Sequence, residues 1–188
     1  MVSKANFYLK EPDKLRYILG RMLIRKMLVD FGFPGTVLHE LKYDLNERPY
    51  VNRTFDFNIS HSEDIVIGAI SGDSKLGIDV EKIEERNLNE LKEIILNNRE
   101  RANLYLTKDP VRYLYDIWTL KEALLKAVGI GLKGSINEIL ILNESVHYDG
   151  LRWSYIKLGI SSDYSCHLVY NRQTTIQTKN LTISDLFE

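Results

Sequence analysis

One cysteine, Cys166, is present in 188 residues, so no internal disulfide can form, and the expected setting is a reducing one, the cytoplasm. No apolar run reaches the length of a membrane span, and Met1 to Lys10 lacks the apolar core of a signal peptide. No membrane partner is therefore expected. There is no excess of charge of either sign: 25 basic and 26 acidic side chains leave a net charge of −1. Bulk charge thus gives no reason to expect a polyanion such as nucleic acid, and any basic binding site has to be local. Low-complexity stretches and solenoid-type repeats are also missing. What remains is an ordinary globular composition, 44% hydrophobic, long enough for one sizeable domain or two small halves.

The pattern along the chain mixes helix and strand. Pro12 to Phe31 reads as a helix, Tyr50 to Glu81 is strand-rich, and Asn87 to Leu106 reads as a second, polar helix. Thr107-Lys108-Asp109-Pro110 breaks that helix before a third, Val111 to Val128, which ends at Gly129. Apolar runs at Ile139 to Leu142, Leu151 to Leu158, Ser165 to Tyr170 and Thr174 to Thr182 read as antiparallel strands. A helix followed by strands thus occurs twice, with a joint near Ile83 to Leu88.

The chemistry concentrates in three places. In Leu76-Gly77-Ile78-Asp79-Val80-Glu81, two carboxylates two residues apart leave the same face of a strand, with backbones roughly 6.6 Å apart. Such a pair also fits a solvated sheet face. In the helix after Pro110, Tyr115, Trp118, Glu122 and Lys126 share one stripe. A carboxylate within an aromatic stripe calls for a cation or a metal, although Glu122 and Lys126 could equally form an i,i+4 salt bridge. Upstream, Ile65 to Ile70, a Ser71–Lys75 turn and the Asp79 strand predict a β-hairpin, preceded by a polar loop in which Ser60, His61 and Ser62 offer donors for phosphate oxygens. Asp79, Glu81 and Glu122 together make a hard oxygen donor set suited to Mg²⁺ shared with a substrate phosphate.

In the first helix, Lys14, Arg21 and Arg25 form a basic strip on an otherwise apolar cylinder. Arg16 points the other way, among Leu19, Leu23 and Met27, where a guanidinium requires a carboxylate or a phosphate.

These motifs, F-N-I-S-H-S at 57–62, G-I-D-V-E at 77–81 and W-T-L-K-E-A-L-L-K-A-V-G-I-G-L at 118–132, are similar in order and spacing to those of the 4′-phosphopantetheinyl transferases of the surfactin-synthetase-activating type. The resemblance implies an α+β fold of two similar halves packed as an intramolecular pseudodimer, 1–84 and 85–188, with the active site between them. The activity it implies is transfer of the phosphopantetheine arm of coenzyme A to a serine of an apo acyl or peptidyl carrier protein, with release of 3′,5′-ADP. Asp79, Glu81 and Glu122 would hold Mg²⁺, Glu122 would serve as base, and Lys126 would steady the pyrophosphate. Arg16, Arg48, Pro49, Ser60, His61 and Lys121 would contact coenzyme A, and a monomer would suffice.

Two departures from the family pattern stand out. Only eleven residues precede Pro12, where relatives carry further basic residues, and a G-K-P segment bordering the adenine is here Glu47-Arg48-Pro49. Two other functions fit the same residues, a coenzyme A-binding protein without transferase activity and a metal-dependent phosphohydrolase.

Overall fold

The computed structural model describes residues 11–52, 54–85, 88–131 and 135–188. The fold is α+β. Helix α1 (Glu11–Asp30) is followed by a 3-10 turn (Val37–Glu40) and two short strands, β1 (Lys42–Tyr43) and β2 (Pro49–Tyr50). Then come β3 (Asp56–Ser62), β4 (Ile65–Ser71) and β5 (Leu76–Lys82). Three helices follow, α2 (Leu88–Ile95), α3 (Asn98–Leu104) and α4 (Pro110–Val128), and after them β6 (Leu140–Leu142), β7 (Ser145–Tyr148), β8 (Leu151–Lys157) and β9 (Tyr164–Tyr170).

The hairpin lies one strand earlier than the sequence predicts. Residues 56–62 are themselves a strand paired with β4, while β5 leaves that sheet and pairs antiparallel with β9 in a five-stranded sheet ordered β5-β9-β8-β7-β6. The reason lies in the alternation Asp56, Asn58, Ser60, Ser62. Every second side chain of β3 accepts a backbone N–H of β5: Leu76 N to Asp56 Oδ2 (3.0 Å), Ile78 N to Asn58 Oδ1 (2.9 Å), Val80 N to Ser60 Oγ (3.4 Å) and Lys82 N to Ser62 Oγ (3.0 Å). The free edge of β5 is thus satisfied by side chains instead of a backbone ladder. The two sheets meet along a polar seam.

Helix α1 covers the β3–β4 hairpin through Ile24 and Leu28, which pack with Phe55 and Phe57. Helix α4 covers the large sheet through Leu120, Ala123, Leu124 and Ala127 against Val146, Trp153 and Val169. Its ends follow from local chemistry: Asp109 accepts the N–H of Arg112 at the N-terminus, Pro110 occupies the first turn, and Gly129 takes φ 81° at the C-terminus.

The polar helix expected over Asn87–Leu106 is two helices. Asn97 stops the first and caps the second, in a capping box with Glu100; Asn87 itself lies outside the described residues. The strand expected at 174–182 has no regular structure; Ile176 packs on the Leu76–Ile78–Val80 cluster, whose strand already has both edges occupied. Conversely, β7 was not marked by the apolar runs, because Ser145 and His147 alternate with its core residue Val146.

Candidate active site

Gly77 determines how the site is assembled. A β-carbon there would lie 2.1 Å from the carbonyl oxygen of Ala123 and 2.4 Å from the nitrogen of Ala127, so only glycine lets α4 lie directly on β5. That close approach brings the Glu122–Lys126 face of α4 against the Asp79–Glu81 face of β5.

Asp79 is 3% exposed. Its Oδ1 accepts from Lys126 Nζ at 2.6 Å and from Ser60 Oγ at 2.9 Å, and Lys126 Nζ also donates to Ser60 Oγ at 2.9 Å. Asp79 Oδ2 is buried with no hydrogen-bond partner among the described residues, although a buried carboxylate oxygen ordinarily has one. Glu81 accepts from Ser62 Oγ at 3.0 Å, and burial together with the neighbouring Asp79 charge pushes its carboxyl up to about 7. Burial and Asp79 also raise Glu122, against the pull of Lys126.

The donor chemistry fits a hard divalent cation: three carboxylates repel one another, and one of their oxygens is buried without a partner among the described residues. Lys126 stands as the nearest positive charge to Asp79. Among the described residues no three acidic, histidine or cysteine side chains are drawn into a ready ligand set.

His61 and Arg16 come together on the other face of β3. Arg16 Nη1 donates to the Glu63 carbonyl at 3.1 Å, and its Nη2 pairs with Asp13 at 2.6 Å. Burial, then the charges of Arg16 and Lys126, hold the His61 imidazole below its ordinary value. Arg16 is only partly buried, at 20% side-chain exposure, and so is not the enclosed guanidinium the helix pattern predicts. Nor is the basic strip free in solvent: Arg21 bonds Tyr43 and Arg25 donates to the Gly35 carbonyl.

Three expected coenzyme A contacts lie elsewhere. Arg48 donates to both oxygens of Asp56, to the carbonyls of Phe57 and Leu76, and to that of Lys126. It staples β2, β3, β5 and the last turn of α4 together beside a polar cavity of about 410 Å³, and it does not join Arg16 and His61. Pro49, next to it, pairs with Tyr43 in the β1–β2 ladder. Lys121 is fully buried, its ammonium donating to Glu100 Oε2 at 2.6 Å and to the Ile95 carbonyl at 2.8 Å. It ties α4 to α2 and α3 and does not face the carboxylates.

The model of the 4′-phosphopantetheinyl transferase superfamily matches residues 75–178, a span that runs from β5 through α4 to beyond β9. The chain belongs to that superfamily. Among its relatives, the 4′-phosphopantetheinyl transferase gsp of Aneurinibacillus migulanus is 33% identical over 71% of this chain and 56% of its own length. The 4′-phosphopantetheinyl transferase ffp of Bacillus subtilis is 30% identical over 77% of this chain and 63% of its own. The chain therefore spans a little over half the length of these transferases. A solved holo-[acyl-carrier-protein] synthase from Neisseria meningitidis aligns with 53% of this chain and 98% of its own, at a TM-score of 0.46 and 24% identity. No helix among the described residues is long and apolar enough to cross a membrane.

Proposed function

We propose that this chain transfers the 4′-phosphopantetheine arm of coenzyme A to a serine of an apo acyl or peptidyl carrier protein, with release of 3′,5′-ADP. The observation that carries the reading is the contact of Lys126 and Ser60 with the buried Asp79, with Glu81 and Glu122 alongside. It lies within a superfamily whose relatives carry that activity in their names. The site forms between residues of the first half, 1–84, and α4 of the second, 85–188, which we take as the two members of a pseudodimer.

Asp79, Glu81 and Glu122 would hold Mg²⁺, which when bound neutralises charge on the pyrophosphate. The chain's own groups do the rest. Attack by the carrier serine drives charge onto the leaving phosphate, so the reaction depends on positioning and on cations that meet that charge. Lys126 carries such a cation, anchored by Asp79 and Ser60. Glu122, its carboxyl raised by burial, takes the serine proton. Arg16 and His61 lie at the end of β3, where they can receive the 3′-phosphate of coenzyme A. The expected setting is cytoplasmic, and the expected state is a monomer.

The test is incubation with coenzyme A, Mg²⁺ and a panel of apo carrier proteins, read by mass. Gain of one phosphopantetheine arm on the carrier is expected, and Asp79→Ala should lower that rate by at least about a hundredfold because a metal ligand and the anchor of Lys126 are lost together. Binding of coenzyme A with no transfer to any carrier would replace this reading with a binding protein, and release of inorganic phosphate from nucleotides would replace it with a phosphohydrolase.

A further inference from the structure

A second polar cluster lies inside the molecule, directly beside the site, and takes no part in the chemistry above. Thr119 of α4 and Ser165 of β9 are completely buried, and His167 of β9 is 3% exposed. Thr119 Oγ1 lies 2.8 Å from His167 Nδ1, 2.9 Å from Ser165 Oγ and 2.9 Å from the Tyr115 carbonyl. Ser165 Oγ donates to Asp116 Oδ1 at 2.7 Å, and Asp116 Oδ2 takes the Lys157 ammonium at 2.5 Å. In the β5–β9 ladder His167 stands opposite Asp79, and Ser165 stands opposite Glu81. On α4, Thr119 precedes Glu122 by three residues and Lys126 by seven, along the same face.

Counting hydrogens favours one direction for these bonds. The Ser165 proton goes to the Asp116 carboxylate, and the Tyr115 carbonyl only accepts. Only His167 among these neighbours can donate to the Thr119 hydroxyl; with its hydrogen on Nδ1, Thr119 both accepts from the ring and donates to the Tyr115 carbonyl or to Ser165 Oγ, one bond more than the Nε2–H tautomer allows, and this is the arrangement we take. Burial, which pulls His167 down to about 4, agrees with a neutral ring.

We infer that Thr119 and His167 are positioning residues, the hydrogen-bonded chain Asp116–Ser165–Thr119–His167 setting the rotation of α4 against β5 and β9 so that Glu122 and Lys126 meet Asp79. The inference rests on the transferase reading of the site. Its physical basis is the flush contact at Gly77. A helix laid on a glycine has no side chain there to stop it rolling, and a roll of about 10° moves an atom about 6 Å from the helix axis by roughly 1 Å. A displacement of that size at a reacting group costs on the order of a hundredfold in rate. Directional bonds from Thr119 to β9 resist the roll at the face that carries Glu122 and Lys126, whereas the Lys121 bonds tie α4 to the preceding helices and not to the sheet.

The test uses the full chain and four variants, Thr119→Val, Thr119→Ser, His167→Asn and His167→Gln. An asparagine amide can place a donor where Nδ1 stands, and a glutamine amide places it where Nε2 stands. Fold is checked by melting curves, kcat and KM for the carrier are measured well below the lowest Tm, and the imidazole is read by ¹⁵N NMR. The wild type should show a neutral His167 with the Nδ1–H tautomer, and that signal should be lost in Thr119→Val. Thr119→Val and His167→Gln should lose at least tenfold in kcat at unchanged KM, while Thr119→Ser and His167→Asn keep most of the rate. If Thr119→Val does not fold, the histidine pair decides the matter. An Nε2–H tautomer in the wild type, or wild-type kcat in folded His167→Gln and Thr119→Val, overturns the inference. Absence of transfer by the wild type overturns the transferase reading instead, and the imidazole signal then still decides whether the chain of bonds exists.

Discussion

Gly77 and Ala123 touch backbone to backbone: a β-carbon on the glycine would fall 2.1 Å from the alanine's carbonyl oxygen. The strand that carries Asp79 and the helix that carries Glu122 and Lys126 meet at this contact, and the spacing of the site depends on it.

Gly77→Ala is therefore expected to do more than overpack the core. The added methyl meets rigid backbone and not the end of a flexible side chain, so α4 has to move away from β5. A stability loss of about 1–3 kcal/mol is expected from overpacking. The rate of carrier loading should fall at least about tenfold even where the variant is fully folded, because Lys126 is carried away from Asp79. Melting curves and loading rates taken on the same preparation check both halves, and a folded variant with wild-type rate would show that the close approach serves packing alone.

Glu81 gives the chain a pH dependence of unusual sign. Its carboxyl, 4.5 ordinarily, is pushed up to about 7 by burial and by Asp79. Between those values the folded chain holds a proton that the unfolded chain has released, so the folded state binds more protons and stability falls as pH rises through that window. Thermal melts in chelator from pH 4 to 8 should show this decline. Glu81→Gln should flatten it and melt higher than wild type at pH 8, and Mg²⁺ at pH 8 should raise the wild-type Tm more than that of the variant. Parallel curves for the two proteins would remove Glu81 as the source.

Lys121 separates a structural lysine from a ligand-binding one. Its ammonium is buried against Glu100 and the Ile95 carbonyl, and burial holds it below the usual lysine value despite the pull of Glu100. Lys121→Ala leaves Glu100 buried without its cation and is expected to cost about 3–5 kcal/mol. The double variant Lys121→Met with Glu100→Gln removes both charges and should regain most of that loss, with KM for coenzyme A unchanged. A several-fold rise in KM in the folded double variant would return Lys121 to the coenzyme A site.

The sequence was readable where function depends on short-range periodicity. Asp79 and Glu81 share a strand face by a period of two, and Glu122 and Lys126 share a helix face by a period of 3.6, so one strand and one helix were enough to group these four candidate side chains. Lys121 and Arg48 were misplaced because their partners, Glu100 and Asp56, lie on other elements, and the identity of a cation does not reveal whether its counter-charge is a ligand or a carboxylate of the same chain. The alternation Asp56, Asn58, Ser60, Ser62 did carry a legible signal: four polar residues on one face of a strand whose other face is apolar indicate a polar neighbour, here the edge of β5. Thr119 and His167 were illegible, since their meeting depends on how α4 crosses β9.

Arg16 and Arg48 allow the 3′-phosphate assignment to be tested by contrast. Arg16 lies beside His61 at the end of β3, tied to Asp13 and to one carbonyl, which leaves guanidinium hydrogens for a ligand. Arg48 is spent on Asp56 and three carbonyls. A charge-assisted bond to phosphate is worth roughly 1.5–3 kcal/mol, so Arg16→Ala should lower kcat/KM for coenzyme A about ten- to a hundredfold. Dephospho-coenzyme A lacks the 3′-phosphate, and its use should hardly change. Arg48→Ala should behave differently, costing about 3 kcal/mol of stability as Asp56 loses its partner and lowering the use of both substrates by the same factor. The measurement is kcat/KM for the two substrates in wild type and both variants, at a temperature where all three are folded. Equal losses for the two substrates in Arg16→Ala would place Arg16 with Arg48, as a residue that holds the fold and not the phosphate.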